Sequence, residues 1–271
     1  MLCHPISAAE TLTMACGGGT LELTLEEYVT GVVLGEVPYT FGEEAIKAQA
    51  VAARTYYLYC KQTGARQHEG ADVCDSPAHC CGFTTEADLA ARFGEDYARR
   101  SVEIVRAAVE ATAGEVLTYE GEPICAVWHA SSPGATEASE NVWQGALPYL
   151  VSVTSEEAVD LTEVTLTSAE VASLLPDWDG GRSLEWASNS SGRCGTLGIG
   201  NLTLTGTEAR ALFGLRSTAL TARWDGDMLR LTAAGYGHGV GMSQRGADAM
   251  ASRGCGYREI LAHYYPGCEV G

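Results

Sequence analysis

Between Thr24 and Tyr59 the apolar residues fall into a helical rhythm twice, with one break. Leu25, Tyr28, Val29, Val32 and Val33 recur at i, i+3 and i+4, the face of an amphipathic helix. Thr24, with Glu27 three residues on, is the capping box that opens such a helix. Pro38 pushes Val37 out of helical geometry, so the helix should end at about Glu36. A second helix runs from about Gly42 to Cys60, and its alanines (Ala45, Ala48, Ala50, Ala52, Ala53) suit close packing. One carboxylate, Glu36, stands at the corner between the two.

Downstream the rhythm changes several times. The stretch 63–85 is broken by Gly, Asp, Ser and Pro and reads as a loop without regular structure. Leu89, Phe93, Tyr97, Val102, Val105 and Val109 are the apolar positions of one long helix over Glu86 to Thr112, with Gly114 as its stop. From Glu115 the pattern alternates as a hairpin turning at Glu120-Gly121. It leads into the small, polar run His129-Ala130-Ser131-Ser132-Pro133-Gly134. Residues 152–186 are acidic and carry a short helix from Ser168 to Leu175. Strands around Leu197–Leu204 and Ala222–Thr232 flank a helix beginning after Thr207. A glycine-rich turn from Gly235 to Gly246 opens another helix, and GCGYREILAHYYPG closes the chain as an amphipathic helix. The fold class is α+β: a helical lobe, with Glu36, packed on a β-rich lobe. Residues 1–20 are an N-terminal arm, 21–112 the helical lobe and 113–271 the β-rich lobe with its C-terminal helix, interlocked as one structural unit.

Composition narrows the function. With 46% apolar and 19% charged residues in 271, the chain is globular and can bury a sizeable core. Acidic residues outnumber basic ones 35 to 17, and a net charge of −18 repels polyanions, which excludes nucleic acid as a general partner. No apolar run is long enough to span a bilayer, and the first twenty residues lack the charged and apolar regions of a signal peptide. Most of the ten cysteines are scattered, the pattern of small buried apolar residues.

Two clusters carry candidate chemistry. A carboxyl group in the last turn of a helix faces the negative end of the macrodipole, and Val33, Leu34 and Val37 should thin the water around it. Both favour the protonated form, which a general acid needs; the bland alternative is an ordinary exposed carboxylate. Within the loop, His68, Cys74, His79 and Cys80 are imidazoles and thiols within thirteen residues, the donors zinc prefers, while Cys81 points away as a spare. Their spacing matches no common zinc finger. The Gly235–Gly246 turn lacks the lysine of a phosphate loop and the βαβ setting of a dinucleotide fold, so it reads as a turn bringing His238, Ser243 and Gln244 to a polar cleft. A Ser/His nucleophile pair near His129 is conceivable, but no G-x-S-x-G elbow surrounds Ser131 and Ser132.

Several ordered blocks together resemble the stage II sporulation protein D family, which shares a domain with LytB-type amidase enhancers: GEVP with AIKAQAVAARTY, WHASSPGATEASENVW with PYL, TEARALFGLRS, GYGHGVGMSQRGADAMA and REILAHYYPG. The resemblance spans roughly Leu21 to Gly267, and the His/Cys loop resembles that of clostridial zinc-binding members. It implies a peptidoglycan lytic transglycosylase, a lyase of cell-wall degradation acting in sporulation and engulfment on strands stripped of stem peptides. Glu36 would be its catalytic residue, with Arg54 and Tyr149 contacting substrate; the two polar turns, with His129, Ser131, Ser132, His238, Ser243 and Gln244, are expected to line the same cleft. His68, Cys74 and Cys80 would hold a zinc ion, with His79 or a group outside the loop as the fourth ligand, structural rather than catalytic. The implied partners are glycan strands, with an amidase or endopeptidase and a membrane protein of the engulfment machinery. The implied place is the cell-wall side of a membrane, the full-length protein being anchored. The alternative from another class is a non-catalytic enhancer of a partner amidase.

Overall fold

The computed structural model describes residues 10–271 apart from 67, 78 and 144; the start of the arm, with Cys3, lies outside the described residues. The fold is α+β. It divides into two compact units, one running to Val127 and taking in Ala247–Gly271, the other Trp128–Gly246. The boundary thus lies beyond the hairpin rather than at residue 113. The C-terminal helices belong with the N-terminal unit, not with the β-rich one.

The first unit opens with β1 (Thr11–Cys16) and β2 (Gly19–Thr24), an antiparallel hairpin. Helix α1 (Leu25–Glu36) follows, with the Thr24/Glu27 capping box formed in both directions. It ends as Pro38 requires: Val37 is extended at φ −130°, ψ 142°, and its N–H still reaches Val33 O at 3.0 Å. Helix α2 (Glu43–Thr63) is buried along its alanine face against α1. The loop after it is not wholly irregular. Strand β3 (Val73–Cys74) pairs in parallel with β1, Ala15 opposite Cys74, a long-range contact that local pattern does not encode.

The expected long helix is two helices, α3 (Glu86–Phe93) and α4 (Glu95–Ala111). Gly94 at φ +92°, ψ 159° breaks them, a conformation essentially reserved for glycine. Strands β4 (Leu117–Tyr119) and β5 (Glu122–Pro123) form the hairpin on a Glu120-Gly121 turn with both residues at positive φ.

The second unit holds β6 (Trp128–His129), β7 (Gly134–Ala135), β8 (Thr154–Ser155), and then β9 (Leu161–Thr167) with α5 (Ser168–Leu174). Its remaining strands are β10 (Leu184–Ser188), β11 (Cys194–Ile199), β12 (Leu202–Thr205), β13 (Leu220–Asp225) and β14 (Met228–Ala234). They make two three-stranded antiparallel sheets, β10-β11-β12 and β13-β14-β9. Helix α6 (Gly206–Leu212) is capped by Thr205 with Glu208, two residues earlier than its sequence suggests. Leu197, Ile199, Phe213, Leu229 and Leu231 fill one core, and Trp178 stacks on Trp224 at 5.7 Å beside it. Strand β15 (Met242–Ser243) runs parallel to β6.

Helix α7 (Gln244–Ser252) leads the chain back to the first unit, where α8 (Tyr257–Tyr264) packs on α2 and β16 (Glu269–Val270) pairs with β4. Among the described residues every cysteine is a free thiol and no helix is long and apolar enough to cross a membrane.

Candidate functional site

Glu36 is the last residue of α1 and is half-buried. It lines a recess of about 200 Å³ with Leu34, Val37, Pro38, Leu89, Arg92, Phe93 and Tyr97. Leu34 and Thr84 also line a larger, more apolar groove of about 590 Å³ along the α1 and α4 faces, so the two hollows adjoin.

Small residues on α1 let the next segment approach. A Cβ on Gly31 would lie 2.1 Å from the Phe83 ring, and one on Gly35 would lie 2.9 Å from Thr84 Oγ1. Phe83 stacks on Tyr28 at 6.2 Å, and Thr84 N–H donates to Gly31 O at 3.0 Å. Cys81, just before this segment, is buried; that burial and then the charge of Glu36 push its thiol well above the ordinary value.

The same segment follows directly from the His/Cys loop. His68, Cys74, His79 and Cys80 bring their donor atoms within 4.8 Å of one another. Cys74 Sγ lies 3.7 Å from His79 Nδ1, and Cys80 Sγ lies 3.4 Å from His68 Nε2 and 3.7 Å from His79 Nδ1. Zinc–nitrogen and zinc–sulfur bonds of about 2.1 and 2.3 Å make tetrahedral edges of about 3.4–3.8 Å, so these separations fit. His68 Nε2 and His79 Nδ1, at 2.9 Å, would open slightly around an ion. The cluster of two imidazoles and two thiols can hold a metal ion. Two turn bonds to Ser76 O, from His79 N–H and Cys80 N–H, fold the loop around it.

Arg54 is placed inside the helical unit. It is fully buried, and its Nε and Nη2 grip both oxygens of Glu26, at 3.0 and 2.5 Å. Its Nη1 donates to Glu115 O at 3.0 Å. The guanidinium therefore ties α1 and α2 to the end of α4, and its donors are engaged within the unit.

In the second unit the polar turn is organised by three residues that sequence reasoning missed: Glu137, Glu157 and Arg193. His129 Nδ1 donates to Val240 O at 3.2 Å, which leaves Nε2 to accept from Ser132 Oγ at 2.5 Å. Arg193 donates to the same Ser132 Oγ at 3.0 Å. Glu157 accepts from Ser132 N–H and from Ser243 Oγ, each at 2.6 Å, and from Ser155 Oγ. Glu137 accepts from Asn141 and Asn189 at 2.8 and 2.7 Å. Ser131 pairs its backbone with Tyr236, Tyr149 is buried, and Gln244 opens α7. His129, Ser132 and Ser243 are thus buried members of an internal network. No local signal marks Glu157, which sits in an acidic stretch without periodicity.

Gly239 makes that network possible. It has φ +86°, and a Cβ there would lie 2.7 Å from the Arg193 guanidinium carbon. Gly239→Ala is expected to cost the second unit about 1–3 kcal/mol through overpacking and backbone strain. Denaturant unfolding checks it.

Acid should act on the same unit. Burial first, then the charge of Arg210, holds His238 down at about 4, and burial likewise holds His129 well below its ordinary value. An unfolded histidine titrates near 6.5, so between about pH 6.5 and 4 the unfolded chain binds more protons than the folded one. Stability is expected to fall as pH drops through that window, and His238→Gln should flatten part of the slope in thermal melts.

A family model described as stage II sporulation protein (SpoIID) matches residues 19–119, which hold Glu36, the His/Cys loop and the α3–α4 elbow. A stage II sporulation protein D of Bacillus amyloliquefaciens is 36% identical over 92% of this chain and 74% of its own length. The chain belongs to the stage II sporulation protein D family. The Bacillus subtilis member is 35% identical over the same shares. An amidase enhancer of Bacillus subtilis is 29% identical over 89% of this chain and 40% of its own length. Family membership thus reaches from the Glu36 corner through the polar turns to the C-terminal helices.

Proposed function

We propose that this family member is a peptidoglycan lytic transglycosylase that cuts stem-peptide-stripped glycan strands during sporulation and engulfment, on the cell-wall side of the membrane. The observation that carries it is a single half-buried carboxyl group at a helix end, lining a recess that adjoins a longer groove. Hydrolytic glycosidases need two carboxyl groups, one for the leaving group and one for water or covalent attack. In a transglycosylase the nucleophile is the muramic C6 hydroxyl, already in the substrate. Glu36 gives its proton to the glycosidic oxygen as the C1–O bond breaks and its electron pair leaves with that oxygen. The carboxylate then takes the C6 hydroxyl proton as O6 closes on C1. The product is a 1,6-anhydromuramyl end, no water is consumed, and Glu36 is again protonated.

The His/Cys cluster, as a four-ligand zinc site of the clostridial kind, would pin the loop that delivers Cys81–Thr84 to α1. The amidase-enhancer relative supports a second reading, a non-catalytic stimulator of a partner amidase. Incubation of purified protein with peptide-stripped glycan separates the two. Anhydromuramyl ends that depend on Glu36 support the enzyme. An inert protein that stimulates an amidase equally well with Glu36→Gln supports the enhancer.

A further inference from the structure

Phe93 stands out among the apolar positions of the α3–α4 stretch. Its spacing assigns it to a helix core, yet the Gly94 break leaves it 54% exposed. It is not an isolated surface aromatic. Its ring lies 4.8 Å from Tyr97, which meets Tyr39 edge-on at 4.9 Å, so the aromatic step is held from behind. The Arg92 guanidinium lies over the Phe93 ring at 5.2 Å. Arg92, Phe93 and Tyr97 line the same recess as Glu36.

We propose that these three residues form a saccharide subsite beside Glu36. Phe93 and Tyr97 stack on a sugar ring, and Arg92 pairs with the lactyl carboxylate that a muramic residue exposes once its stem peptide is removed. The inference rests on the reading of Glu36 as a glycan acid and adds the determinant of substrate class. Its physical basis is complementarity. Ligand hollows combine apolar and aromatic walls with a few placed polar groups, and among the described residues Arg92 is the cation lining this one, in a chain of net charge −18. A guanidinium matches a carboxylate in bidentate geometry. Asp88 is held below its ordinary value first by the hydrogen bonds its Oδ2 accepts from Thr85 Oγ1 and N–H in the α3 cap, and only last by Arg92. A strand whose lactyl groups are still amide-linked to peptides offers no such charge.

The test measures binding in the Glu36→Gln background, where strands are not consumed. The probes are peptide-stripped glycan oligomers and the same oligomers with their lactyl carboxylates converted to amides. The parent is expected to prefer the free carboxylate. Arg92→Gln should weaken binding of the carboxylate form roughly threefold to tenfold and leave the amide form unchanged, because an exposed ion pair contributes modestly. Phe93→Ala should weaken both forms roughly fivefold, and Phe93→Trp should restore them. Both side chains are exposed, so unchanged melting temperatures report an intact fold. A preference that survives Arg92→Gln overturns the carboxylate contact, and unaltered binding by Phe93→Ala overturns the stacking. Wild-type cleavage by Glu36→Gln would overturn the catalytic reading instead, while these binding contrasts would still stand or fall separately.

Discussion

Glu36→Gln is expected to release no detectable anhydromuramyl product from peptide-stripped glycan, a loss on the order of 10²–10⁴-fold or more in turnover. The size follows from the chemistry of one group in two duties. Glutamine keeps the shape of the side chain but can neither give a proton to the leaving oxygen nor take one from the C6 hydroxyl. A two-carboxylate glycosidase retains part of its machinery after one loss; here, among the described residues, no second carboxyl lines the recess. Glu36 is half-buried at a helix end, where glutamine fits without strain, so thermal stability should stay within a degree or so of wild type. Mass analysis of the released ends is the measurement. Reducing ends in place of anhydro ends would mean that water, not the C6 hydroxyl, attacks, and the single-acid mechanism would be wrong.

The Glu36 corner was legible because its signals are local. A capping box three residues wide starts α1 and one proline ends it, and neither depends on distant chain. The short helix from Ser168 was legible as well, whereas the box of Thr205 with Glu208 was overlooked in favour of Thr207. The break at Gly94 was missed because apolar periodicity continues across it, from Leu89 and Phe93 to Tyr97, while one glycine backbone angle divides the helix. Strand β3 is two residues long and draws its definition from β1, some sixty positions earlier. The return of α8 to α2 joins segments about 200 positions apart, and no composition shift announces it.

The second unit shows the same limit in its chemistry. His129, Ser132 and Ser243 were visible as residue types suited to a polar site. Their partners were not: Glu157 reaches Ser243 across 86 positions and Arg193 reaches Ser132 across 61. Once those partners are in place, the serines and the histidine have their polar atoms engaged inside the unit. Arg54 teaches the same lesson in the first unit, where a residue carried over as a substrate contact is held by Glu26 and two backbone carbonyls. Residue type marks candidates, while the buried partners that hold them come from distant chain.

Protein purified without chelator is expected to carry about one zinc per chain, and Cys74→Ser to lose most of it, because three ligands hold zinc far less tightly than four. Burial first, with the Cys74 sulfur beside it, raises the Cys80 thiol; a bound dication would draw both sulfurs to thiolates and close the site. Metal loss should not unfold the chain, since α1, α2 and α4 have their own apolar contacts. It should free the segment from Cys80 to Thr84, and with it the packing of Phe83 on Gly31 and of Thr84 on Gly35, one residue from Glu36. The expected readouts are faster proteolysis within residues 63–82 and a melting temperature lower by several degrees, at roughly 2–4 °C for each kcal/mol in a chain of this size. Wild-type protein without bound zinc would refute the site. Zinc loss that leaves protease resistance and melting unchanged would refute the pinning role. Four protein ligands leave no open position for water, and a reaction whose nucleophile belongs to the sugar asks for none. The metal's effect on glycan cleavage should therefore follow the order of the 82–85 segment.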